Sequence, residues 1–155
     1  TAFTVPHNPV EPAVGYRFDY KGRSVCISGD TEKSVNLERA CSGADLIVHE
    51  ALQPAMVTQI QDQLELMGNE RGAKIMLDIK DYHASPEDAA KSAQAAGADM
   101  LVLSHLVPPL PNSYFYPAFL GDAKNYFKGE IIVGEDGMLF SLKPDSDIIE
   151  RSKLM

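Results

Sequence analysis

The run RSVCISGDT, Arg23 to Thr31, decides the fold class. Its first six residues have the composition of a short strand, Gly29 permits a tight exit, and Asp30 is left at the strand's carboxyl end, with a helix expected over Thr31 to Cys41. Immediately upstream, Val14 to Tyr20 (VGYRFDY) is a second strand-like run. Lys21-Gly22 separates the two, with glycine where a two-residue turn needs positive φ, so the pair reads as a hairpin. Downstream, Ala44 to Val48 (ADLIV) and Met100 to Leu103 (MLVL) are continuous apolar runs, the pattern of strands covered on both faces. Between them, Ser85-Pro86-Glu87-Asp88 places a cap, a first-turn proline and two acids ahead of a helix that stops at Gly97. Pro54 to Tyr82 is amphipathic, broken at Gly68 and Gly72, and reads as two helices. Val107 to Pro117 holds four prolines and reads as an irregular loop. Glu130 to Val133 and Met138 to Leu142 read as a closing hairpin around Glu135-Asp136-Gly137. Strands and helices thus alternate, with hairpins at both ends, which gives an α/β fold with a mixed sheet.

Composition agrees with one globular domain or a large piece of one: 155 residues, 45% hydrophobic and 23% charged. Lys plus Arg number 14 against 22 for Asp plus Glu, a net charge of −8, so a basic nucleic-acid footprint is absent. No stretch is long and apolar enough for a membrane span, and the N-terminus shows no signal segment. The chain opens on Thr1, and Thr1 to Val5 already reads as a strand, so it is expected to begin inside a larger unit. Cys26 and Cys41 lie 15 apart without a CxxC pattern and read as two small buried thiols, with a lean to the cytoplasm.

All four histidines fall at element boundaries: His7 after the first strand, His49 ending DLIVH, His83 just before the capped helix, and His105 ending MLVLSH. Ligands of open α/β sheets gather outside the carboxyl ends of the strands. If these imidazoles and Asp30 converge, the chemistry is a transition-metal site. Neutral imidazoles with a carboxylate suit zinc, and a bridging carboxylate lets two ions share a site.

The strings HNPVEPAVGYRF (His7 to Phe18), KGRSVCISGDT (Lys21 to Thr31), ADLIVHEA (Ala44 to Ala51), HASPEDAA (His83 to Ala90) and LVLSH (Leu101 to His105) occur in an order that resembles the second half of a metallo-β-lactamase-fold hydrolase. The branch resembled is that of ribonuclease Z and arylsulfatase-like enzymes. The resemblance implies half of an αββα sandwich and two divalent metal ions, zinc first among them. It implies that His7 and His105 are metal ligands, that Asp30 bridges the ions, that His83 protonates the leaving group, and that His49 and Glu50 support the site as catalytic partners. The family's His-x-His-x-Asp-His signature belongs to the first half and is absent here. Residues 1–155 therefore read as the C-terminal half of one domain, which needs the missing N-terminal half for activity.

Three departures separate the chain from tRNA-processing members of that branch. Only Lys21-Gly22 occupies the place of their long arm, Leu106-Val107-Pro108 follows His105 where they carry Ser and Arg-Tyr, and the charge balance is acidic. They give the expectation of a small or medium sulfate, phosphate or carboxylic ester as substrate in preference to nucleic acid, with a ribonuclease Z-like phosphodiesterase acting on tRNA precursors, or a non-catalytic binding module of the same fold, as the alternatives. Apolar residues between Pro54 and Tyr82 suggest packing or a homodimer surface.

Overall fold

The structure is a computed structural model that describes residues 1–154. Six strands form one sheet in chain order: β1 (Ala2–Val5), β2 (Ala13–Tyr20), β3 (Arg23–Ile27), β4 (Leu46–Leu52), β5 (Met100–Val107) and β6 (Glu130–Val133). The first three pair antiparallel, and β3 through β6 pair parallel. The β2–β3 hairpin turns as its sequence requires, with φ of 47° at Lys21 and 75° at Gly22. Because β1 and β3 to β6 point the same way, their carboxyl ends share one edge, and every candidate site residue but His49 lies along it.

Five helices follow: α1 (Val35–Ala40), α2 (Pro54–Leu66), α3 (Glu70–Asp78), α4 (Pro86–Ala96) and α5 (Tyr116–Leu120). Helix α4 begins as its sequence dictates, with the Ser85 hydroxyl accepting from the Asp88 amide, and ends on Gly97 at φ 68°. Its Ala89, Ala90 and Ala93 are fully buried, so small side chains let the helix lie close over β4 and β5. Leu37 of α1, Ile47 of β4, Leu101 and Leu103 of β5 and Phe119 of α5 complete this core, each such side chain contributing about 1.5–3 kcal/mol by burial.

The opposite face of the sheet carries a smaller cluster of Leu46, Val102 and Ile132, covered by Met138, Phe140, Leu142 and Ile149. Those residues belong to a separate two-stranded sheet of β7 (Met138–Leu142) and β8 (Ile149–Lys153). Arg23 pins it down: the guanidinium pairs with Asp45 at 2.7 Å and donates to the carbonyls of Lys143, Ser146 and Ile148. Burial pushes the Asp45 carboxyl up, but bonds from the Ser24 amide and hydroxyl and from Arg23 outweigh it and hold the pKa below the usual range. Beyond the small sheet this face is open, and Tyr16, Phe18, Tyr20 and Ile27 are exposed along β2 and β3.

Four expectations need correction. The helix expected from Thr31 starts only at Val35, because Ser34 supplies the cap and Thr31 is bonded elsewhere. Cys26 and Cys41 are a disulfide and not two thiols: the C-terminus of α1 returns over β3 and brings their Cα atoms to 5.7 Å. The proline-rich segment is not wholly irregular, since Pro117 sits in the first turn of α5, where its missing N–H costs nothing. Finally, β6 and β7 are not a hairpin. β6 is the parallel edge strand of the main sheet, and β7 leaves it to pair with β8.

Candidate functional site

Asp30 is delivered by Gly29, whose φ is 64° and where a Cβ would come within 2.5 Å of the Val14 carbonyl oxygen. Only glycine fits that approach. Thr31, fully buried, then ties the loop down: its hydroxyl donates to the Pro6 carbonyl at 3.1 Å, one residue from His7, and its amide donates to Glu50 Oε1 at 3.2 Å. His105 arrives by a different device. Ser104 pairs with Glu50 and Leu106 with Ala51, which leaves His105 as the extra residue of a β-bulge, with φ of 45°. A non-glycine residue there costs about 1 kcal/mol, and the bulge turns the imidazole toward the strand ends.

The side chains form one continuous cluster. The rings of His7 and His83 lie 5.0 Å apart, and those of His83 and His105 stack at 5.8 Å. His105 Nε2 is 3.8 Å from Asp30 Oδ2. Asp30 and His105 remain open to solvent, their side chains 42% and 53% exposed, while His83 is buried.

Glu50 organises the inner wall. Its Oε1, on a side chain 2% exposed, accepts from His83 Nδ1 at 3.1 Å, from the Ala84 amide at 2.9 Å and from the Thr31 amide. One carboxylate oxygen therefore fixes the chain on both sides of the cluster. Burial pushes the His83 pKa down, but the hydrogen bond and charge of Glu50, with the Asp30 charge behind, outweigh it and raise it above the ordinary imidazole value. His49 does not join the cluster. Its ring is wholly buried in the row of Ile47 and Ala51 on the helix-covered face, and its Nδ1–H donates to the Glu50 carbonyl at 2.7 Å. Burial lowers its pKa, so it is neutral. Its one link to the cluster is through the Glu50 backbone.

The donor set fits one wall of a cation site. His7 Nδ1 lies 2.8 Å from the Tyr82 carbonyl, which can only accept; a proton therefore sits on Nδ1, and the Nε2 lone pair is the one that can face a cation. Asp30 and His105 face each other, each open on its outer side. Among the described residues, no group of three His, Cys, Asp or Glu side chains closes around a single point. Three contributors went unrecognised in the sequence: Thr31, the Tyr82 carbonyl and the Ser28 hydroxyl, to which the Glu50 amide donates at 3.0 Å. The GDT string was the available signal for the first; the others act through long-range contacts with no local mark.

Residues 1–106 match the family described as the beta-lactamase superfamily domain. The chain is 35% identical over 130 residues to ribonuclease Z of Mycobacterium tuberculosis, covering 84% of this chain and 43% of that protein. It is equally similar to ribonuclease Z of Mycobacterium avium, covering 84% and 42%. In structure it resembles the metallo-beta-lactamase fold protein YhfI of Bacillus subtilis, with a TM-score of 0.60, 20% identity, and coverage of 87% of this chain and 46% of that one. The chain thus spans less than half the length of these relatives. It belongs to the metallo-β-lactamase-fold superfamily, in the ribonuclease Z branch. The relatives carry a nuclease's name, which overturns the expectation of a small ester substrate in preference to nucleic acid and favours the ribonuclease Z-like alternative. That expectation rested on the short Lys21-Gly22 turn, on the residues after His105 and on charge summed over the whole chain, and such a sum does not set the local field in a cleft.

Proposed function

We propose that this chain is the C-terminal half of a metal-dependent phosphodiesterase of the ribonuclease Z type, acting on tRNA precursors. One observation carries the reading: four strand ends and the α4 entry bring His7, Asp30, Glu50, His83 and His105 into one cluster, with Glu50 holding His83. The nuclease name of the relatives, at 35% identity, supports the substrate class. The open aromatic strip of Tyr16, Phe18 and Tyr20 supports the reading of a half, since an apolar sheet face calls for a covering layer.

In this reading His7, Asp30 and His105 hold divalent metal, zinc by the chemistry of imidazole and carboxylate, with the remaining ligands supplied by the other half. When bound, the metal supplies positive charge for the phosphoryl oxygens and makes a water more acidic. In its charged form His83 carries a proton on Nε2 beside the Nδ1 proton that it donates to Glu50, and it gives the Nε2 proton to the leaving oxygen. The raised pKa favours that charged form. Glu50 is a positioning residue, orienting the imidazole and keeping it charged, and His49 anchors the backbone behind it.

The test is cleavage of a precursor tRNA by the complete protein and its His83→Ala variant. We expect endonucleolytic cleavage by the first and a loss of about a hundredfold or more in the second, in line with general acid catalysis. A complete protein that turns over a chromogenic sulfate or phosphate monoester but leaves precursor tRNA intact would contradict the assignment.

A further inference from the structure

Tyr82 meets the cluster twice, once with its backbone and once with its ring. The carbonyl accepts from His7 Nδ1 at 2.8 Å. The half-buried phenol ring stands perpendicular to the His7 imidazole with 5.1 Å between centroids, and is tilted by 47° against His83 at 5.2 Å. His7 and His83 are themselves 5.0 Å apart, so the three rings form a triangle with nearly equal sides.

The chain around Tyr82 is pinned on both sides. Helices α2 and α3 intervene between Glu50 and His83, and the single turn Ile79–Asp81 brings the chain back to the site. On that turn Lys80 donates to the Gln61 side-chain oxygen at 3.0 Å and to the Thr58 hydroxyl at 3.2 Å, which ties the return to α2. Past His83, the Ala84 amide donates to Glu50 at 2.9 Å, and the Ala84 carbonyl accepts from the Leu52 amide at 2.8 Å. The backbone at Tyr82 is therefore held whatever its side chain. What the ring adds is contact with both imidazoles, and an aromatic pair shifts an equilibrium by about two- to tenfold. Glu50 bonds one nitrogen of His83, which leaves the imidazole free to pivot about that contact; a ring packed on its side removes the freedom. We propose that Tyr82 is a positioning residue whose ring locks His7 and His83 at one mutual angle, so that the wall facing the cation and the proton donor act as one unit. The role of His83 in this statement rests on the nuclease reading above.

The test sets Tyr82→Leu and Tyr82→Met, which fill the space without a ring, against Tyr82→Phe, which keeps the ring and loses only the hydroxyl. All three are made in the complete protein and checked for folding by thermal melts, and all keep the carbonyl that faces His7. On precursor tRNA the Leu and Met variants should lose about tenfold in kcat with KM within about twofold of native, because the positioned groups act on the breaking bond and not on substrate binding. Metal should pass from both variants to a chromogenic chelator about threefold or more faster, since His7 is no longer held. Tyr82→Phe should restore native values in both measurements. A Phe variant as impaired as the Leu variant would overturn the proposal in favour of the hydroxyl. Folded Leu and Met variants with native kcat and native metal transfer would overturn it outright. If the native protein leaves precursor tRNA uncut while only the ringless variants release metal faster, the locking role of the ring stands and the nuclease reading falls.

Discussion

Replacing Glu50 by glutamine separates the charge of the carboxylate from its shape. In the native protein Oε1 accepts from His83 Nδ1, Ala84 N and Thr31 N at 3.1, 2.9 and 3.2 Å, in a side chain 2% exposed. A glutamine carbonyl can accept from the same three donors, so what disappears is the charge. Hydrogen bonds to an ionised acceptor exceed neutral ones by roughly 1 kcal/mol each, and relief from burying an anion offsets part of the sum. Glu50→Gln should therefore lose about 1–2 kcal/mol of unfolding free energy in a denaturant titration, whereas Glu50→Ala, which strands two buried amides, should lose about 3–5 kcal/mol. The second readout is the imidazole. Glu50 raises the His83 pKa against the effect of burial, so NMR titration of the glutamine variant should show that pKa lowered. The sign for stability follows. A raised folded value means that the pair stabilises fully below the unfolded imidazole value of about 6.5 and loses its contribution as pH rises through the folded value. In Glu50→Gln that loss should come at lower pH. A folded Glu50→Gln protein whose His83 titrates as in the native chain would refute the claim that this carboxylate holds the proton.

Three further outcomes follow from the same contacts. Replacing Cys26 and Cys41 together by alanine should cost about 3 kcal/mol, the chain-entropy value for a 15-residue loop, and native protein alkylated without reduction should show no free thiol by mass. Gly29→Ala should destabilise by about 2 kcal/mol in thermal melts and weaken metal retention, since the new methyl group meets the Val14 carbonyl oxygen and displaces Asp30. An unchanged melting temperature would show that the loop adjusts freely. Asp45, whose folded pKa is lowered, contributes stability above its unfolded value of about 3.9 and loses it as pH falls through the folded value. Asp45→Asn should flatten that acid limb of the stability curve.

The parts of the fold that could be read in the sequence are those encoded within a few residues. Lys21-Gly22 and Ser85-Pro86 each carry their own turn or cap chemistry, and the buried strands β4 and β5 announce themselves as unbroken apolar runs. What could not be read depends on contacts between distant segments. The Cys26–Cys41 bond exists because α1 folds back over β3, a path that a spacing of 15 does not reveal. The partner of β7 is chosen by the apolar face of Leu46, Val102 and Ile132, and a turn-like Glu135-Asp136-Gly137 cannot report which strand lies beside it. At the site, histidines at strand ends were legible as candidates because the carboxyl edge of a parallel sheet collects ligands. Their unequal roles were not. His49 and Glu50 are adjacent in sequence, yet strand alternation and the bulge at His105 send one into the helix-covered core and the other to the cluster.

Metal content decides the central claim most directly. Elemental analysis of the complete protein beside its Asp30→Ala variant, each dialysed against metal-free buffer, should find divalent metal retained by the native protein and lost from the variant, with precursor tRNA cleavage disappearing in step. A variant that keeps its full metal content and its cleavage rate would contradict the placement of Asp30, His7 and His105 on one wall of a catalytic cation site.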